Sequence, residues 1–203
     1  MNLFIYKLYE FSQMNLSVFP LNAIVCPKGR VSLRIFELRY LDMVRACLRQ
    51  EEPFVVTLVS PPKKYGQEFY TTGTMVKIVD FGETLQNGML TIIVEGLVQV
   101  ALSQLSRQED GLWKAEIIEK DHEPYTTTPE KFDDLCMVLK ALVKHPYVQE
   151  LAMDIDYEDA REVGWRLTEL LPLGNEQKQC LYEMESSELR LSKIADQLSD
   201  LVE

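Results

Sequence analysis

The chain is short of the residues that carry most metal and thiol chemistry. It has two histidines, His122 and His145, and neither has a ligand at metal-site spacing, which argues against zinc. Four cysteines, Cys26, Cys47, Cys136 and Cys180, are spread through 203 residues without a Cys-x-x-Cys pair. With no secretory signal in view, that pattern reads as reduced cytosolic thiols in or near a core, not as a disulfide framework. No apolar run approaches the roughly 18 to 20 residues of a membrane-spanning helix. The Gly-x-x-x-x-Gly-Lys-Ser/Thr phosphate loop, the Gly-x-Ser-x-Gly elbow and the His-Glu-x-x-His pair are missing too. A thiol enzyme needs a base beside its cysteine. If Cys136 and His145 share one helix, they stand roughly 13 Å apart by helical rise and cannot form a dyad.

Positive charge is also scarce in one half. Residues 1–122 hold 13 Lys+Arg against 14 Asp+Glu, a net of −1, whereas residues 123–203 hold 8 against 18, a net of −10. A phosphate backbone is repelled by the second part and weakly drawn by the first. Nucleic acid is therefore not the expected partner. What the chain does have is an ordinary globular composition, 46% hydrophobic and 26% charged, and enough length to bury a core without staples.

The most patterned stretch is FPLNAIVCPKGRVSLRIFELRYLDMV, from Phe19 to Val44. Pro27 and Gly29 punctuate a turn between two extended pieces. From Ile35 onward, Phe36, Tyr40, Val44 and Leu48 recur every four positions, which predicts a helix buried along that line and ending near Glu51-Glu52-Pro53. Phe54–Val59 (FVVTLV) reads as a buried strand, and Ser60–Tyr70 (SPPKKYGQEFY) as a loop. Gly73–Phe81 and Met89–Val94 flank Asn87-Gly88, a tight-turn signal, and the second strand is expected to close at Glu95-Gly96. Val98, Val100 and Leu102 alternate in a further strand; Asp110-Gly111 turns the chain into a last one with Trp113, Ala115 and Ile117 inward. Five or six strands in mostly hairpin order predict a small, curved, barrel-like antiparallel sheet.

At residues 122–129 the pattern becomes helical. Thr127 with Glu130 offers a capping box, and Thr128 with Pro129 as the first helical residue is the rival. Phe132, Leu135, Cys136, Leu139, Leu142 and Val143 form one apolar stripe, ending before Pro146. Further helices are expected near Tyr157–Leu171, from Gly174-Asn175 to Met184, and after Ser186-Ser187. In the last of these Leu191, Ile194, Leu198 and Leu201 make a narrow seam for an intramolecular bundle contact. The domains are thus 14–122, β-rich, and 123–203, α-helical. Residues 1–13 are read either as an upstream extension, with Met14 the true start, or as an added helix or arm.

Several of these segments, in order, resemble the N-terminal substrate-recognition domain of Lon proteases. They are Phe19-Pro20-Leu21, Pro27-Lys28-Gly29, Ile35-Phe36-Glu37-Leu38-Arg39-Tyr40, the Gly73-Thr74 strand ending in Asp80-Phe81, Glu95-Gly96, and Leu170-Leu171-Pro172-Leu173 before a Glu/Gln/Lys-rich helix. Lys28 between Pro and Gly, and Ser32 where the family usually has proline, depart from the pattern. The resemblance implies an α+β fold, a curved PUA-like β-domain followed by a helical bundle, cytoplasmic, without ATPase or peptidase modules and without a cofactor. It also implies a non-enzymatic role in recognising unfolded or exposed polypeptide, as an adaptor or holdase beside a protease or chaperone.

Two clusters are candidates for contact. Arg34, Glu37, Arg39 and Tyr40 lie in the family-like segment as either a polypeptide surface or a lock of helix to sheet. Lys63, Lys64, Tyr65 and Phe69 set cations beside aromatics in the predicted loop. They are the local support for the alternative function, an RNA-binding PUA-like module.

Overall fold

The computed structural model describes residues 14–60, 68–82 and 90–202, the last three as backbone only. Residues 1–13, the Asn87-Gly88 turn, and Lys63, Lys64 and Tyr65 lie outside the described residues. The chain divides into two compact units, residues 1–121 and 122–203.

The first unit is a six-stranded mixed sheet. Its strands are β1 (Asn15–Leu21), β2 (Arg30–Ile35), β3 (Phe54–Val59), β4 (Phe69–Phe81), β5 (Leu90–Arg107) and β6 (Trp113–Glu119), and helix α1 (Leu38–Gln50) joins β2 to β3. Spatial order is β2-β5-β4-β3-β1-β6, and β6 also pairs with β5, so the five strands other than β2 close a ring. The sheet is not wholly antiparallel: β1 runs parallel to β3, with Val18 opposite Val55 and Leu21 opposite Leu58. A parallel pair needs a long crossover, and β2 with α1 supplies it.

Opposite faces of the strands feed two apolar clusters. Phe54 and Val56 join one, with Leu33, Ile35, Ile92 and Val94 and with Met43, Val44 and Cys47 of α1. Val55 joins the other, with Val18, Phe69, Met75, Val98, Val100 and Ile117. Both faces of β3 are thereby covered, which is why FVVTLV is apolar without alternation.

β5 does not close at Glu95-Gly96; it is one strand of 18 residues that continues to Arg107. The register against β4 slips between Met75 and Val76, where Val98 and then Gly96 are opposed, leaving Leu97 as the extra residue. An extra residue moves the following side chains to the other face. Ile92 and Val94 therefore serve one cluster, and Val98, Val100 and Leu102 the other, although all five positions are even-numbered. Gly96 is there for clearance: a Cβ would sit 2.2 Å from the backbone oxygen of Cys26.

Helix α1 begins three residues after Ile35, the predicted start, and turns a different face inward. Met43, Val44 and Cys47 are buried, with Tyr40 half-buried beside them, whereas Phe36, Leu38 and Leu48 are exposed. Steps of four drift about 40° each at 3.6 residues per turn, so a line through 36, 40, 44 and 48 leaves the core. The set 40, 43, 44 and 47 stays on it. Glu51 ends the helix in the left-handed region at φ 54°.

The second unit holds a 3-10 turn (Glu130–Phe132) and helices α2 (Asp133–Leu142), α3 (Pro146–Glu150), α4 (Ala160–Leu170), α5 (Asn175–Glu183) and α6 (Ser187–Val202). Neither predicted cap operates at its start: Pro129 is the N-cap, with no side-chain hydrogen bond. Thr127 is engaged in a β-bridge to Asp159 instead, which ties the linker to the start of α4. Asp159 caps α4 by accepting from the Arg161 backbone N–H at 3.0 Å. Cys136 and His145 do not share a helix, because Pro146 opens α3 with His145 as its N-cap. Phe132, Leu135, Cys136 and Leu139 pack with Val163, Leu167, Leu181, Leu191 and Ile194, and with half-buried Leu198, as one core. The α6 seam is thus an intramolecular contact; the Leu201 side chain lies outside the described residues.

Candidate functional site

The four residues singled out in the Phe19–Val44 stretch separate into a lock and a surface. The lock comprises Glu37, Arg39 and Tyr40. Glu37 occupies the N-cap of α1 in an extended conformation and pairs with Arg39 at 2.6 Å. Arg39 Nη1 donates to the Gly111 carbonyl at 3.2 Å, and its guanidinium lies 4.8 Å from the Tyr40 ring centroid. Tyr40 meets Phe19 edge-on, centroids 4.2 Å apart, and Phe19 in turn meets Phe54. Burial pushes the Tyr40 hydroxyl pKa up, against the pull of neighbouring Arg39. These contacts tie the helix start to β1, β3 and the β5–β6 turn.

Arg34 is different. It sits on β2 opposite Thr91 and is exposed. Leu33 and Ile35 on either side of it are buried, so the chain alternates inward and outward here. The next two outward positions are Phe36 and Leu38, 69% and 74% exposed. Sequence reasoning missed both, because they fell on the predicted helix stripe or between its polar residues. The signal that finds them is period two carried on past Ile35: the strand pattern persists to the N-cap. Phe81, 53% exposed, pairs across β5 with Ile92, near the register of Ile35 with Leu90.

Of the predicted loop cluster, Phe69 alone lies among the described residues. Phe69 is no loop residue: it begins β4, is 1% exposed, and stacks edge-on against Trp113 at 5.4 Å. Its aromatic ring belongs to the core.

Ion pairs link neighbouring strands at the opposite end of β2, where the strand begins. Glu95 accepts from Arg30 at 2.7 and 2.9 Å and pairs with Lys77 at 3.0 Å, and the three residues are in register across β2, β5 and β4. Burial works to raise the Glu95 pKa, but the hydrogen bonds from Lys77 and Arg30 hold it below the usual carboxylate range. Burial raises the Cys47 thiol to about 11 and also lifts Cys136, so both stay protonated at neutral pH. Among the described residues, no group of three His, Cys, Asp or Glu side chains is placed to hold a metal, and no helix is long and apolar enough to cross a membrane.

The family model of the ATP-dependent protease La (LON) substrate-binding domain matches residues 15–200. The chain belongs to this family. Among solved structures it is similar to a Lon N-terminal domain protein from Xanthomonas campestris, at 28% identity and a TM-score of 0.72. That match covers 90% of this chain and 98% of the other. It also shares its fold with the N-terminal domain of Mycobacterium avium complex Lon protease, at 18% identity and a TM-score of 0.59, over 92% and 99% of the two chains. No curated protein matches it. The matched Lon region is the substrate-binding domain alone, and the α+β architecture of six strands followed by helices is that of the family.

Proposed function

We propose that this Lon substrate-binding domain is a non-enzymatic, cytoplasmic polypeptide-recognition module acting as an adaptor or holdase for unfolded clients. It would hold exposed apolar segments, alone or for a protease or chaperone partner. One observation carries the reading: Phe36 and Leu38 stand exposed at successive outward positions beside Arg34, on a segment held rigid by the Glu37–Arg39–Gly111 lock. Large side chains at 69% and 74% exposure gain by being covered, each worth about 1.5–3 kcal/mol when fully buried. A rigid support means that little ordering entropy opposes the contact. Family membership supports polypeptide as the ligand class.

Fluorescence anisotropy with labelled, reduced and carboxymethylated lactalbumin tests this, with single-stranded RNA alongside. Saturable, weakly salt-dependent binding of the polypeptide is expected, and Phe36→Ser with Leu38→Ser should weaken it by about tenfold or more. Salt-sensitive binding of RNA alone would overturn the reading in favour of the RNA-binding alternative.

A further inference from the structure

We infer that the outer edge of β2 takes up an extended client segment as an added strand, and that the preferred segment alternates acidic and apolar side chains. This rests on the polypeptide-recognition reading and adds the binding mode and the class of segment.

Among the described residues, β2 terminates the sheet order and has β5 as its single strand neighbour, through Arg30 to Ile35. Every other strand pairs on both sides, because β6 returns to β5. Among the described residues, no turn, loop or side chain hydrogen-bonds to Val31–Ile35 on the side away from β5. Alternate residues of an antiparallel strand direct N–H and C=O away from their partner. A row of donors and acceptors at strand spacing is complementary to one thing above all, another extended backbone.

The charge around this edge selects among backbones. Lys28, Arg30 and Arg34 fall within seven residues that contain no acid, in a chain of net charge −11. Lys28 and Arg34 are exposed. Arg30 shares the Glu95 carboxylate with Lys77. Glu37, the nearest acid beyond the strand, is paired to Arg39. An incoming carboxylate opposite Arg34 is favoured, and an incoming lysine or arginine is repelled. The inward positions of the added strand, beside buried Leu33 and Ile35, call for apolar side chains, so that acidic and apolar residues alternate. The same charges disfavour a second copy of this chain, since β2 against β2 brings arginine to arginine or lysine.

The test uses the full-length chain and short labelled peptides of alternating valine and glutamate or alternating valine and lysine. Two N-methylated forms of the valine–glutamate peptide, each blocked along one backbone edge, accompany them. The valine–glutamate peptide should bind and the valine–lysine peptide should not. Methylation of one edge should weaken binding by about tenfold or more. Arg34→Glu, a change at an exposed position, should reverse the preference between the two peptides. Equal binding of both methylated forms and the parent, or an unchanged preference in Arg34→Glu, overturns the inference. Carboxymethylated lactalbumin in the same titration separates the two ideas. If it binds while the valine–glutamate peptide does not, the strand-addition inference falls and polypeptide recognition stands. If neither binds, polypeptide recognition itself falls.

Discussion

Arg39 Nη1 reaches the backbone carbonyl of Gly111 at 3.2 Å, joining the first turn of α1 to the turn between β5 and β6. The two residues are matched in shape as well as in charge. Gly111 has φ +86°, and a Cβ there would lie 2.8 Å from the same Nη1.

Arg39→Ala removes a charge-assisted hydrogen bond and should cost about 1.5–3 kcal/mol. Gly111→Ala should cost on the order of 1–2 kcal/mol from its left-handed backbone alone. Because both act on one contact, the double variant should lose less than the sum. Urea unfolding followed by Trp113 fluorescence, in a Trp165→Phe background, reads the sheet unit separately. Additive losses would show that the contact does not couple the two residues.

Gly96 makes a sharper case. Its missing side chain admits the Cys26 backbone oxygen, while Lys28 N–H donates to the Gly96 carbonyl and Gly96 N–H to that of Gly29. The obstructing atom is main chain and cannot rotate aside. Gly96→Ala should therefore cost on the order of 3 kcal/mol or more, in the range of the larger packing effects. Gly174→Ala, where the nearest atom is the end of the Gln177 side chain at 3.3 Å, should stay within about 1 kcal/mol. Paired unfolding curves check the contrast, and comparable losses would refute it.

Most strands were legible because alternation and short runs of apolar, β-branched residues are local signals. Phe54–Val59 and Trp113–Glu119 follow directly from residue order. Pairing was not legible: nothing within β1 or β3 announces that they run parallel. The two short strands expected around Glu95-Gly96 are one, because a bulge keeps the even-numbered apolar pattern while exchanging the face it serves. At the candidate site, the Phe19–Val44 stretch was the right place, but a period of four assigned Phe36 inward. The structure keeps period two there and leaves it exposed. The buried arginines of the helical unit were invisible in the sequence for a plain reason. Arg166 and Arg190 sit at positions that charge assigns to solvent, and only tertiary partners bring them inside.

Glu95 should leave a signature in acid. Its carboxyl pKa is depressed in the fold, so its contribution is present above the ordinary carboxylate range and fades as pH falls through the lowered folded value. Stability of the sheet unit should decline on that acid limb. Glu95→Gln should flatten the decline while lowering stability at neutral pH, since Arg30 and Lys77 lose their shared anion. Measuring unfolding midpoints of both proteins between neutral and acidic pH decides it; parallel profiles would mean that Glu95 carries no linkage.

Arg190 organises the helical unit as Arg39 does the sheet. Its side chain is 1% exposed, passes Gly164 where a Cβ would lie 3.0 Å from it, and donates to the Leu181 carbonyl at 2.9 Å, to the Met184 carbonyl, and to Glu123 at 2.9 Å. Glu123 precedes the first helical turn, and its carbonyl also accepts from Arg161. The linker, α4, α5 and α6 are thereby joined around one guanidinium. Removing one member of a buried pair strands the other, which costs about 3–5 kcal/mol. Arg190→Met should incur a loss of that size, and Glu123→Gln, which keeps an acceptor oxygen, a smaller one. Unfolding followed by Trp165, whose ring lies 5.7 Å from the guanidinium carbon, reports on the helical unit. A loss below about 1 kcal/mol for Arg190→Met would show that apolar packing, rather than the charged network, holds these helices together.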